Sequence, residues 1–142
     1  MRRAIELALN VPQVPFGAII VNRNSGAIVA EGYNQSFRNP TFHGEMVAIN
    51  QCAEIFRPVD WSEFDLYTTA EPCPMCQSAI EWAGIAHVYY GTSMLYLEHL
   101  QWWQISIRAT EIIAKTGFRN TQKTAGILEL DCNALFDRAQ RG

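Results

Sequence analysis

The apolar positions of this chain change period several times, and each change marks an element. Residues 1–9 place Ala4, Ile5, Leu7 and Ala8 among charged neighbours, which predicts a short amphipathic helix, and Pro12 and Pro15 close the loop after it. Phe16 to Val21 is an apolar run of strand length. Asn22-Arg23-Asn24-Ser25-Gly26 is turn chemistry, and Ala27 to Ala30 is a second strand, so the pair predicts a hairpin. Gly32 to Phe42 is a polar loop containing Asn39-Pro40. His43 to Phe56 reads as a helix, with Val47, Ala48 and Ile49 between polar positions. Asp65 to Thr69 is a third strand, Cys73 to Ala83 a helix and His87 to Gly91 a fourth strand. Pro72 and Pro74 stand near the start of that helix, where proline is tolerated. Met94 to Lys115 reads as one long, mostly helical segment, and Phe118 to Thr124 as a fifth strand. Leu128, Cys132, Leu135, Phe136 and Ala139 recur at helical spacing and predict a C-terminal helix.

This order predicts an α/β fold. Its expected form is three α/β/α layers, with a central five-stranded mixed sheet covered by helices on both faces, and residues 1–142 forming a single unit. A hairpin needs a few residues, whereas a parallel crossover needs a dozen or more. Met94 to Lys115 is long enough for a crossover, so the fifth strand is expected to run parallel to the fourth.

Composition narrows the picture. A chain of 142 residues that is 49% hydrophobic can bury a core without disulfide staples. Its net charge of −3 argues against a dedicated nucleic-acid binder, which usually presents a basic surface. Glu6 and Asn10 interrupt the N-terminal apolar positions, so no signal peptide is expected, and no apolar stretch is of membrane-spanning length. The expected location is the cytoplasm. Of four cysteines, Cys52 and Cys132 sit in apolar helical surroundings and read as buried small hydrophobes.

Cys73 and Cys76 are different. They form a C-x-x-C at a helix start, inside Pro72-Cys73-Pro74-Met75-Cys76, thirty residues after His43-Gly44-Glu45. Residues three apart on a helix face one side, and a helix N-terminus is electropositive, which favours thiolates. An imidazole and two thiolates can hold zinc and leave its fourth position open for water. Two thiolates, a neutral imidazole and Zn²⁺ sum to zero charge, which suits a dry pocket. Glu45, two residues from the imidazole, is placed to take a proton from that water and deliver protons to a ring nitrogen and a leaving amine. The competing readings are a redox-active C-x-x-C and a structural zinc site completed by Cys52, Cys132, His87 or His99. Glu71 also flanks the motif and is expected to be a solvated or capping carboxylate.

The pair of motifs matches the zinc-dependent nucleobase deaminase signature. From end to end the chain resembles the cytidine deaminase-like superfamily, in its guanine deaminase and tRNA adenosine deaminase branch. The resemblance implies His43, Cys73 and Cys76 as zinc ligands and Glu45 as the proton shuttle. It extends to Pro15-Phe16-Gly17-Ala18 and Gly32-Tyr33-Asn34. By analogy, the Asn34 side chain hydrogen-bonds the bound base, Phe16 lines its pocket and the Gly44 backbone N–H faces it. Relatives commonly carry alanine at the position of Gly44. They are mostly dimers or larger, which implies a homodimer here.

Bacterial tRNA adenosine deaminases carry a characteristic stretch after the fourth strand that Tyr90 to Tyr96 does not match. Phe16, Pro74 and Ala79-Ile80-Glu81-Trp82-Ala83 look more like guanine deaminases. The expected activity is therefore hydrolytic deamination of a small nucleobase or nucleoside, a guanine-type purine first, with tRNA adenosine deamination as the alternative. Glu98 to Trp103 resembles neither group, and pocket specificity is expected to differ there. Trp102 and Trp103 are expected in the core or at a dimer contact more than stacked on a base, Glu98 and His99 on a solvated face, and His87 in a structural role.

Overall fold

The computed structural model describes residues 1–58 and 60–142. A short helix, α1 (Arg2–Ala8), leads into the hairpin β1 (Gly17–Asn22) and β2 (Ile28–Tyr33). Then follow α2 (Gly44–Phe56), β3 (Phe64–Ala70), α3 (Pro74–Ala83), β4 (His87–Thr92), α4 (Met94–His99), α5 (Ala109–Lys115), β5 (Gln122–Thr124) and α6 (Glu129–Arg141). The five strands form one mixed sheet in the order β2-β1-β3-β4-β5. β1 is antiparallel to both β2 and β3, while β3, β4 and β5 run parallel. The expected hairpin, the parallel crossover into β5 and the layered mixed sheet are all present.

Period-2 alternation decides which side chain faces which helix layer. Ala18 and Ile20 of β1, Leu66 of β3 and Val88 of β4 share one face with Ala48, Ile49 and Cys52 of α2 and Ile80 of α3. Gly17 and Gly91 face the other way, where α1 and α6 approach closely. A methyl group on Gly17 would sit 2.1 Å from the Ala4 carbonyl oxygen, and one on Gly91 2.3 Å from Cys132 Sγ. Cys52 and Cys132 are both fully buried, as their apolar surroundings predict. No helix among the described residues is long and apolar enough to cross a membrane.

Two expectations need correction. β2 runs on to Tyr33, so Gly32 and Tyr33 belong to the strand and not to the polar loop. Glu31 and Gly32 look like loop residues, but Glu31 is paired with Arg3 of α1 (2.8 Å) and Gly32 lies against the α2 backbone. Residues 94–115 are not one helix. α4 ends at His99, Gln101 takes a left-handed φ of 62°, and helix resumes only at Ala109. Between them Trp102 is held by tertiary packing rather than by helical neighbours: it packs edge-on against Phe16 and Phe136.

Candidate active site

His43 and Cys73 occupy equivalent places, each the residue before the first turn of its helix, α2 and α3 respectively. Both have extended backbones (ψ 159° and 167°), and neither side chain caps its own helix. The side chains turn towards each other instead. Cys73 Sγ lies 3.5 Å and Cys76 Sγ 3.7 Å from His43 Nδ1, and all three donor atoms fall within 4.8 Å of one another. Zinc–sulfur and zinc–nitrogen bonds of ~2.3 and ~2.05 Å in a tetrahedron require sulfur–nitrogen separations of roughly 3.6 Å. The three donors therefore fit zinc, the metal of the family identified below, and no fourth His, Cys, Asp or Glu among the described residues joins them. His87, His99, Cys52 and Cys132 do not join the group.

The electrostatics of the three donors are interdependent. The hydrogen bond from the Cys76 thiol holds the Cys73 thiol well below its ordinary pKa, against the effect of burial and with help from His43. Cys76 is pushed well up, by that same bond and by burial. The hydrogen bond to Cys73 raises the pKa of His43. A divalent cation at this point deprotonates both thiols.

Glu45 stands in the first turn of α2 with 4% of its surface exposed, and Thr68 of β3 donates its hydroxyl to Glu45 Oε1 (3.0 Å). Burial, and then the neighbouring Cys73, raise its carboxyl above the ordinary glutamate range. A raised carboxylate is the better proton acceptor near neutral pH.

His43, Glu45 and Cys73 open onto a cavity of about 330 Å³, towards the lower end of the ~300–1,000 Å³ usual for small-molecule sites. Phe16 and Asn34 line it too. Phe16 is held by rings on two sides, Trp102 at 5.6 Å and Phe136 at 4.9 Å. Asn34 is buried, and its Oδ1 accepts from the Ser36 amide (3.0 Å) and hydroxyl (2.7 Å), which commits the carbonyl end and leaves the amide nitrogen as the free donor. Cys76 and Gly44 are buried and do not line the cavity. Gly44 packs on the hairpin, where a methyl group would sit 3.0 Å from the Phe16 carbonyl oxygen.

The remaining wall comes from residues to which sequence reasoning gave other roles or none. Trp102, Trp103, Gln104 and Ile105 close one side, Pro40 and Met75 contribute, and Glu71 lines the cavity as well. Trp102 combines core packing with a place on the wall, while Trp103 is 98% exposed at the rim. Glu98 and His99 do not reach the cavity. Glu71 is not solvated: it is buried, ion-paired with Arg108 and bonded to two helix-starting amides, so only the capping half of its expectation holds. His87 stacks on Tyr89 and hydrogen-bonds Thr124 (2.7 Å), far from the metal group.

A mixed sheet with helices on both faces, a His/Cys/Cys group at two helix starts that fits zinc and a buried glutamate in the same cavity together match a zinc-dependent deaminase class. The family profile for the cytidine and deoxycytidylate deaminase zinc-binding region matches residues 1–92, and the chain belongs to this family. Two relatives divide the specificity. A tRNA-specific adenosine deaminase of Rickettsia bellii is 37% identical over 98 residues, covering 66% of this chain and 68% of the relative. A guanine deaminase of Bacillus subtilis is 40% identical over 96 residues, covering 63% and 60%. The matched stretch thus spans about two thirds or less of these relatives. Among solved structures, NE0047 in complex with 2,6-diaminopurine superposes with a TM-score of 0.86 at 25% identity, over 99% of this chain and 79% of that one.

Proposed function

We propose that this chain is a hydrolytic deaminase of an amino-substituted purine base, a guanine-type purine first, with His43, Cys73 and Cys76 holding zinc and Glu45 moving the protons. The observation that carries this reading is the wall of the cavity. It is small, aromatic on one side through Phe16 and Trp102, and contains two carboxylates and no lysine or arginine. A polynucleotide substrate is held largely through phosphate contacts to cationic side chains, and this wall offers none. The crystal structure of a neighbour with a bound diaminopurine supports the same choice.

When bound, zinc supplies Lewis acidity that lowers the pKa of a water from ~15.7 to about 7. The chain's own residues do the rest. Phe16 and Trp102, packed edge-on against each other, form an aromatic corner against which a flat ring packs. The Asn34 amide nitrogen donates to an acceptor on the ring edge. Glu45, desolvated and fixed by Thr68, takes one proton from the water and delivers it to the ring nitrogen as the new C–O bond forms, then takes the remaining hydroxyl proton and delivers it to the amine as the C–N bond breaks, so that the hydroxyl becomes the product carbonyl and ammonia leaves. Exclusion of bulk water from the buried carboxylate keeps that traffic on Glu45. Two copies of this chain are the working unit that the family resemblance implies.

The 37% identity to a tRNA-specific deaminase supports a second reading, adenosine deamination in tRNA. One experiment separates them. Zinc-loaded protein is incubated with guanine, adenine, cytosine, their nucleosides, aminotriazines and tRNA, and ammonia release is followed with Glu45→Ala as control. Turnover of a free purine, lost by roughly 10²-fold or more in the variant, supports the proposal. Turnover of tRNA alone overturns it.

A further inference from the structure

Glu71 does more than flank the zinc motif. Its side chain is 1% exposed, in the turn that joins β3 to Cys73 and α3. Both carboxylate oxygens accept from Arg108 Nε, at 2.8 and 3.0 Å. Oε1 also accepts the backbone N–H of Ala109 (3.0 Å), the first residue of α5, and Oε2 that of Met94 (2.9 Å), the first residue of α4. One carboxylate thus ties down the starts of two helices that begin 23 and 38 residues further along the chain.

The chain between those helices builds the cavity wall with Trp102 to Ile105. It has few anchors of its own. Trp102 is lodged in the aromatic cluster and its amide bonds the Leu97 carbonyl (2.9 Å), and Ser106 bonds Glu98. Trp103 and Ile105 are exposed, and Gln101 holds a left-handed backbone that a non-glycine residue adopts at a cost. Such a stretch keeps its shape only while its ends are fixed.

We propose that Glu71, with Arg108, is a positioning pair that locks the Leu100–Arg108 wall to the metal-bearing turn and thereby sets how tightly, and which, ring the cavity accepts. Glu71 touches neither the reacting amine nor the proton path in this role. It acts through the segment it holds, so its signature is in substrate binding and selection. The inference rests on the deaminase reading for its kinetic part and on geometry alone for its structural part.

The test uses Glu71→Gln and Arg108→Met in the full chain. Glutamine keeps the shape but supplies an N–H where an oxygen must accept from Met94 or Ala109, and methionine removes the guanidinium while leaving the two amide bonds. Zinc per chain, thermal melting, amide hydrogen exchange over 100–108 and kcat and KM on the preferred substrate of the panel are measured together. The expected result is one zinc per chain, a cooperative melt, exchange over 100–108 faster by about tenfold or more, and a KM rise of about tenfold with kcat changed far less. Protection over 100–108 equal to wild type in both variants overturns the proposal. So does exchange that quickens equally in β1, β3 and α2, since that is general destabilisation. If wild-type protein turns over nothing on the panel, the deaminase reading fails by itself, and the exchange data still decide the role of Glu71. A Glu71→Gln chain that does not fold leaves Arg108→Met to give the same two answers.

Discussion

Gly32 offers a direct test of how the sheet positions the chemistry. It sits near the end of β2 with the first turns of α2 pressed on it. A methyl group added there would lie 2.3 Å from the Gly44 carbonyl oxygen, 2.7 Å from the Ala48 nitrogen and 3.0 Å from Val47 Cβ. Ordinary contact begins near 3.4 Å. In Gly32→Ala the strand and the helix must therefore part by about 1 Å, and the two nearest atoms are backbone, with no rotamer to yield. Overpacking of this kind costs about 1–3 kcal/mol, and rigid neighbours place it at the upper end. For a chain of this length that is roughly 6–12 °C in Tm. The catalytic effect is expected to be larger than the thermal one. The first turn of α2 carries Glu45 and follows directly on His43, and a misplacement of about 1 Å costs on the order of 10²-fold in rate.

Gly44→Ala is the matched control. There the nearest atom is the Phe16 carbonyl oxygen at 3.0 Å, a few tenths of an ångström too close, and alanine is the better helix residue by up to about 1 kcal/mol. The two effects offset, and stability is expected to stay within about 1 kcal/mol of wild type. Differential scanning calorimetry, zinc content and ammonia release on both variants form the assay. A Gly32→Ala protein with wild-type Tm and activity refutes the argument that this strand–helix contact sets the site. A fall in Tm with unchanged activity refutes only its second half, by showing that α2 gives way without moving His43 and Glu45.

Other perturbations act on single groups. Cys76→Ser replaces a fully buried donor by a hydroxyl that does not ionise near neutrality. Zinc affinity is expected to fall by more than the ~10–100-fold typical of outer-shell changes, measured by competition with a chelator, and stoichiometric zinc retained against that chelator removes Cys76 from the ligand set. His87 tests a pH effect remote from the metal. Burial lowers its pKa below the ordinary 6.5, outweighing Asp65, so the unfolded chain binds more protons below about pH 6.5. Its share of stability is complete above pH 6.5 and is lost as pH falls from there through the lowered folded value. The difference in Tm between wild type and His87→Gln, followed from pH 8 to about pH 5, is expected to shrink or invert on the acid side. A difference that stays constant across that range excludes the linkage.

The clustering of His43, Cys73 and Cys76 was legible in the sequence because its information is local. Cys73 and Cys76 share a helix start, His43 and Glu45 share another, and residue type with spacing was enough to place each on its own first turn. β1 was equally legible, as a continuous apolar run, because a strand buried on both faces carries few polar positions. The wall of the cavity was not, and the reason is physical. Residues 94–115 are rich enough in apolar and helix-compatible types to read as one helix, and what breaks them lies elsewhere in the chain. Phe16 and Phe136 receive Trp102, and Glu71 receives the first amides of both α4 and α5.

Glu71 shows the limit most plainly. Capping was among its expected roles, but the helices it caps begin 23 and 38 residues later, a pairing that no local rule anticipates. His43, Glu45, Cys73 and Cys76 are all placed by two short helix starts. One side of the cavity wall, by contrast, hangs on long-range contacts made by a segment, Leu100–Arg108, that lies outside the matched family region. Substrate choice in this chain is therefore to be sought in that segment and its anchor, and not in the zinc signature itself.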